Sequence, residues 1–299
     1  VKIIPPRLEQ GDGIGIIAPA GPVTEPEIQP GADLLRSLGF EVFLSSHVLG
    51  EKGYLSGEDR VRLWDLHDMF RNDRVRAILC ARGGYGTMRL LENIDYEIIR
   101  ENPKILIGYS DITALLIALH KRTGLITFHG PVLRDFSKNQ PKNLESLLHV
   151  VSSREKLSFP LPDGEIIRPG RVTGVLLGGN LSLLCHLLGT SFMPSPKGKI
   201  LFIEEKGEPP YRIDRMLTHL KVSGFLRKCA GIAFGEFMEC GDESCLTQVL
   251  QERTSDLEVP VVMGLRVGHG KENATLPIGV RASLDTENMS LSIVETCVR

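Results

Sequence analysis

Apolar residues in the first half of the chain fall into short runs separated by segments with helical spacing. Residues 14–18 form an apolar run behind Gly11-Asp12-Gly13 and predict a buried strand. Residues 29–38 predict a helix with Leu34, Leu35 and Leu38 on one face. Pro30 is expected in its first turn, and Gly39 stops it. A second strand is predicted over 40–44, and a helix over 59–71 with Leu63, Leu66 and Phe70 at helical spacing. The third strand, 75–81, runs into Arg82-Gly83-Gly84-Tyr85-Gly86, and the fourth, 104–108, is followed by a helix over 111–120. Repeated strand–loop–helix predicts a largely parallel sheet with helices on both faces, whose sites sit at the carboxyl ends of the strands.

The pattern changes near residue 135. SKNQP (137–141) and PLPDG (160–164) are turn-rich and polar, and read as a linker region around one helix at 143–151. Beyond it the strands crowd together, at 171–177, 199–204, 231–234, 259–262, 278–284 and 289–294, with two or three helices between them. This half predicts a mixed α/β, β-rich unit with a strongly curved or barrel-like sheet. The expected division is 1–150, a linker at 151–170, and 171–299. No internal repeat or low-complexity tract interrupts it.

Composition narrows the partners. A chain of 299 residues, 42% hydrophobic and 24% charged, suits two ordinary domains. A net charge of -2 makes no electrostatic case for nucleic acid or an anionic membrane. No apolar run approaches the roughly 20 residues of a membrane span. The opening VKIIPPRLEQGDG lacks the apolar stretch and cleavage site of a signal peptide. Of the six cysteines, Cys80 and Cys185 lie in apolar runs, whereas Cys240 and Cys245 share a polar loop without CxxC or His-rich spacing. Free thiols in a reducing cytosol are expected, with no metal.

Several positions could carry chemistry. KILIGYSDITALL (104–116) reads as strand, tight turn and apolar helix, with Ser110 at the turn beside the open N–H groups of a helix start. It resembles a nucleophile elbow, except that Ile112 stands where G-x-S-x-G has its second glycine; equally, Ser110 is a helix N-cap. Gly83 and Gly84 follow a buried strand and either supply an oxyanion donor alongside Asp111 or make a tight turn. Without GK[ST] or GxGxxG, a nucleotide loop has little support. Glu204 ends a buried apolar strand, where a carboxylate requires a partner, and Glu205 and Glu208 compete with it. His269 lies in a glycine-flanked loop, and His129, at another strand end, is its rival as a base. Trp64, the one tryptophan, reads as core.

GDGIGIIAPAGP (11–22), ARGGYGTMRLL (81–91), KILIGYSDITALL (104–116), FHGPV (128–132), LLGGNLSLL (176–184), LFIEEKGEPPYRIDRML (201–217) and GHGKENATLPIG (268–279) together resemble the serine LD-carboxypeptidase family. The blocks span nearly the whole chain in the family's order. Members include muramoyl-tetrapeptide carboxypeptidases and microcin C immunity-type peptidases. The resemblance implies an N-terminal flavodoxin-like parallel α/β domain, a β-rich mixed α/β C-terminal domain, and a homodimer. It implies a Ser–Glu–His triad, carried here by Ser110, Glu204 and His269.

The implied activity is cytoplasmic release of terminal D-alanine from a murein tetrapeptide through an acyl-enzyme, with no cofactor. Backbone N–H groups of Asp111 and of Gly83 or Gly84 would hold the oxyanion. Arg82 and Arg212 are candidates for the substrate carboxylate, and Tyr85 and Asn180 for further substrate contacts. The alternatives are a microcin C-type peptidase that cuts a peptidyl-nucleotide amide, and a non-catalytic nucleotide- or sugar-binding protein.

Overall fold

A computed structural model describes residues 1–138 and 141–299, with the side chains of residues 137 and 138 left out. Asn139 and Gln140, inside the turn-rich SKNQP segment, lie outside the described residues. The chain divides into two compact units, one of residues 1–154, 274–277 and 297–299, the other of residues 155–273 and 278–296.

The first unit alternates strand and helix: β1 (Gly13–Ile17), α1 (Glu25–Ser37), β2 (Glu41–Leu44), α2 (Asp59–Arg71), β3 (Val75–Cys80), α3 (Tyr96–Glu101), β4 (Ile105–Gly108), α4 (Ile112–Thr123), β5 (Thr127–His129) and α5 (Pro141–Ser152). Strands β2-β1-β3-β4-β5 lie in that order and run parallel, the flavodoxin-like arrangement. Residues of β1 and β4 are all buried, as are Ile112–Leu119 of α4. Apolar runs without alternation are what a sheet covered on both faces requires.

Helix α1 begins a turn earlier than its leucine spacing predicts. The Glu27 carboxylate accepts the Thr24 backbone N–H at 2.9 Å, a capping-box contact. Pro30 therefore sits inside the helix rather than in its first turn. Trp64 is also not core: it is 51% exposed on α2, with its ring edge against His47.

The second unit is one mixed sheet of eight strands. It contains β6 (Ser158–Pro160), β7 (Glu165–Arg168), β8 (Arg171–Asn180), α6 (Leu181–Leu187), β9 (Lys199–Lys206), α7 (Pro210–Val222), α8 (Phe225–Lys228), β10 (Gly231–Met238), α9 (Glu243–Thr254) and β11 (Val261–Met263). Next in the chain, β12 (Leu276–Ile278) adds to the edge of the first sheet beside β5, while β13 (Arg281–Asp285) and β14 (Ser290–Ile293) return to the second. The expected single strand over 278–284 is thus two strands, divided at Gly279, whose φ is +93°. Residues 151–170 are not simply a linker either, since they supply both edge strands, β6 and β7.

The order β6-β14-β13-β8-β9-β10-β11-β7 leaves β6 and β7 on opposite edges, so the expected barrel is an open sheet. It is nevertheless strongly curved. A flat sheet would hold its outer strands about 34 Å apart, yet the short 161–164 connection spans at most about 18 Å. Parallel pairing of β8, β9, β10 and β11 brings the carboxyl ends of β8, β9 and β10 together, with Asn180 opposite Glu204. Among the described residues, no helix is long and apolar enough to cross a membrane.

Candidate active site

In the first unit, the end of β4 turns sharply into α4 at Ser110. Its φ is +63°, a left-handed conformation that costs a non-glycine residue about 1–2 kcal/mol. The helix N-cap is Asp111, not Ser110, and the Ser110 hydroxyl makes no hydrogen bond among the described residues. The capping explanation for this serine therefore falls away. The side chain is half-buried and packs against the glycine loop, where a Cβ built on Gly83 would lie 2.9 Å from Ser110 Cβ and 3.1 Å from its Oγ. Only glycine lets that backbone approach so closely.

The loop is pinned by Asp111 and Thr87. The Asp111 carboxylate accepts the Thr87 N–H at 2.9 Å, and the Thr87 hydroxyl donates to the Asp111 carbonyl at 2.6 Å. Burial pushes the Asp111 carboxyl up from its ordinary range, against the lowering effect of the Thr87 and Gly86 hydrogen bonds. With that side chain facing the loop, the N–H groups of Gly83, Gly84 and Asp111 have no acceptor among the described residues. Arg82 is half-buried and donates to the Pro22 carbonyl at 2.9 Å; desolvation is the largest influence on its guanidinium and lowers its pKa. His129 is wholly buried at the end of β5, in register with Gly108 and edge-on to the Tyr109 ring.

In the second unit, the end of β9 separates three acids that are neighbours in sequence. The buried Glu204 carboxylate accepts the His269 Nδ1–H at 2.6 Å. A carboxylate can only accept, so the contact holds the ring proton on Nδ1 and leaves Nε2 as the basic nitrogen. Glu205, one residue on, points to the opposite face. It accepts from Asn180 Nδ2 at 2.7 Å, from the Ser182 N–H at 2.8 Å and Oγ at 2.7 Å, and from the Lys206 N–H at 2.9 Å. Burial raises its pKa despite these donors. Glu208 pairs with Arg212 at 2.8 Å. Asn180, buried, also accepts the Leu183 N–H at 3.3 Å and so caps α6.

The His269 loop is fitted around Glu204. A Cβ on Gly268, whose φ is +115°, would lie 2.6 Å from Glu204 Oε2 and 2.7 Å from its Cβ. Gly235 on β10 also lies against Glu204, its added Cβ meeting Glu204 Cβ at 3.4 Å. The Gly268 N–H donates to Asn273 Oδ1 at 3.0 Å, closing the loop. The two units thus hold the ingredients of acyl transfer: a strained hydroxyl beside open amides, and a buried carboxylate–imidazole pair.

Comparison with known proteins finds matches along most of the chain. The LD-carboxypeptidase N-terminal domain matches residues 14–130, and the LD-carboxypeptidase C-terminal domain matches residues 173–284. The chain belongs to the LD-carboxypeptidase family. A probable murein peptide carboxypeptidase of Bacillus subtilis (strain 168) is 42% identical over 296 residues, covering 94% of this chain and 91% of the relative. The microcin C7 self-immunity protein MccF of Escherichia coli is 31% identical, covering 96% and 94%. The crystal structure of muramoyltetrapeptide carboxypeptidase from Oxalobacter formigenes superposes with a TM-score of 0.85 at 34% identity, covering 94% of this chain and 98% of that one.

This LD-carboxypeptidase is therefore a hydrolase of the serine LD-carboxypeptidase type. Sequence reasoning missed the parts that hold its groups in place. Thr87, Gly235, Gly268 and Asn273 carry no reactive group, and their roles depend on which backbone passes beside them. The glycines flanking His269 were the one visible signal. The cysteines are all free; five are buried and Cys245 is exposed. Burial pushes Cys185 and Cys229 up to about 12 and Cys297 up to about 11, which holds these thiols protonated and unreactive near neutral pH.

Proposed function

We propose that this LD-carboxypeptidase releases the terminal D-alanine of a murein tetrapeptide, with Ser110 as nucleophile, His269 as base and Glu204 as its orienting acid. The observation that carries this reading is the 2.6 Å contact of His269 Nδ1 with a fully buried carboxylate, which holds the ring proton on Nδ1 and makes Nε2 the proton-accepting nitrogen. Ser110 Oγ attacks the carbonyl carbon of the third residue as Nε2 takes the hydroxyl proton. The N–H groups of Asp111 and of Gly83 or Gly84 receive the oxyanion, each such donor being worth about 3–4 kcal/mol of barrier. The C–N bond then breaks, and the proton on Nε2 passes to the departing amine of D-alanine. Water, deprotonated by the same nitrogen, hydrolyses the ester and restores Ser110. Arg82 is the candidate for the carboxylate of the departing residue. The reading includes a cytoplasmic homodimer, as the family resemblance implies.

The test is release of free D-alanine from a muramoyl tetrapeptide, with Ser110→Ala as control. Release that persists in Ser110→Ala removes this nucleophile. The likeness to the microcin immunity protein, whose solved structures include complexes with glutamyl sulfamoyl guanosine and aspartyl sulfamoyl adenosine, motivates a second substrate, an aminoacyl sulfamoyl nucleoside. Cleavage of that compound without D-alanine release from the tetrapeptide selects the other reading.

A further inference from the structure

Two tyrosines stand out beside the glycine loop that packs on Ser110. Tyr54 is 66% exposed and Tyr85 52% exposed, and their rings meet edge to face at 5.5 Å. Exposed aromatic rings held together on a surface are a common mark of a binding site. Both rings are carried on rigid backbone. Tyr85 lies between Gly84 and Gly86, at φ +114° and +127°. Tyr54 is at the tip of a tight hairpin in which Lys52 and Leu55 exchange backbone hydrogen bonds of 2.8 and 3.1 Å across Gly53, φ +60°. Leu55 is buried against Gly86, where an added Cβ would meet it at 2.5 Å, and the Ser56 N–H donates to the Ala20 carbonyl at 2.9 Å. The hairpin tip is thereby locked to the Tyr85 loop. Little ordering entropy remains to be lost when a ligand arrives.

Resting on the substrate proposed above, we infer that Tyr54 and Tyr85 form a subsite for the sugar ring at the amino end of a muramoyl peptide. Reach supports this assignment. Gly83 touches Ser110, and Tyr85 is two residues further on, which puts its Cα within about 12 Å of the hydroxyl. In a muramoyl tetrapeptide three residues separate the sugar from the bond that is cut, about 10–11 Å of extended chain. The departing D-alanine offers only a methyl group and a carboxylate, and presents no flat apolar face to an aromatic ring. A pyranose presents a flat apolar face of C–H groups with hydroxyls at its rim, which suits an aromatic ring carrying a polar tip.

The experiment compares kcat/KM for D-alanine release from the same tetrapeptide with and without the muramoyl sugar, in wild type, Tyr85→Ala, Tyr54→Ala and Tyr85→Phe. The wild type is expected to favour the sugar-bearing substrate by about tenfold, mostly through KM, the effect of about one well-placed contact. That ratio should fall toward one in both alanine variants and survive largely intact in Tyr85→Phe. A ratio near one in wild type, or an undiminished ratio in Tyr54→Ala and Tyr85→Ala, overturns the subsite while leaving the proposed reaction standing. D-alanine release from neither substrate sinks the proposed reaction itself. If the alanine variants lose cleavage of an aminoacyl sulfamoyl nucleoside but keep the sugar preference, the rings serve a nucleobase and the sugar assignment is wrong.

Discussion

Replacing Gly268 with alanine tests the loop that aims His269. The new Cβ would lie 2.6 Å from Glu204 Oε2, 2.7 Å from its Cβ and 2.9 Å from its Cγ. A carbon and an oxygen in ordinary contact stand near 3.4 Å, so the carboxylate has to retreat by about 0.8 Å, a strain of the overpacking kind. The oxygen that must move is the one accepting the His269 Nδ1–H at 2.6 Å. The retreat stretches that hydrogen bond past useful length and frees the ring to turn. Removing the correct acid from a serine–histidine–acid triad costs about 10⁴ in kcat. A carboxylate that is displaced but present should cost less, on the order of 10²–10³. Alanine at φ +115° adds backbone strain of about 1–2 kcal/mol.

Gly189→Ala separates strain from contact, because Gly189 has φ +86° but no atom within 4 Å of an added Cβ. It should lose comparable stability in urea and retain its turnover. The assay is kcat for D-alanine release, with urea midpoints for both variants. A Gly268→Ala enzyme within threefold of wild-type kcat would refute the claim that the loop positions the acid. Equal loss in both variants would reduce the effect to general destabilisation.

Ser110→Gly and Ser110→Ala should both lose D-alanine release, but the glycine variant should be the more stable in urea by about 1 kcal/mol, because it relieves the left-handed conformation at φ +63°; equal midpoints would remove the strain argument. Lys104 is buried, its Nζ donating to the carbonyls of Asn72 and Val75, and desolvation lowers its pKa to about 8 from 10.5. Between those values the unfolded chain binds a proton that the folded chain does not, so stability from this group rises with pH, by at most about 1.4 kcal/mol per unit. Urea unfolding across pH 8–10 should show that rise in wild type and not in Lys104→Met; identical pH slopes would exclude it.

Much of the architecture is legible in the linear pattern, because the signals involved are local. Alternating apolar runs and helical spacings mark β1, α2, β3, β4 and α4, and the strand–turn–helix around Ser110 is visible as a buried run followed by a polar turn. Chain periodicity depends on residues a few positions apart, which the sequence lists side by side. Even so, a cap outweighs spacing at α1, where Thr24 and Glu27 start the helix early. The short strands β6 and β7 have too few residues for a period, and only sheet pairing makes them strands.

The choice among Glu204, Glu205 and Glu208 belongs to tertiary structure. In one dimension they are nearly equivalent acids. In space, strand alternation turns Glu204 to His269 and Glu205 to Asn180 and Ser182, while Glu208 meets Arg212. Residue composition determined that a hydroxyl, an imidazole and several carboxylates were available, and local periodicity determined the elements carrying them. Which carboxylate meets the imidazole was decided by backbone from β10 and the 268–273 loop passing at contact distance, because a buried charge is tolerated only where a partner arrives through space.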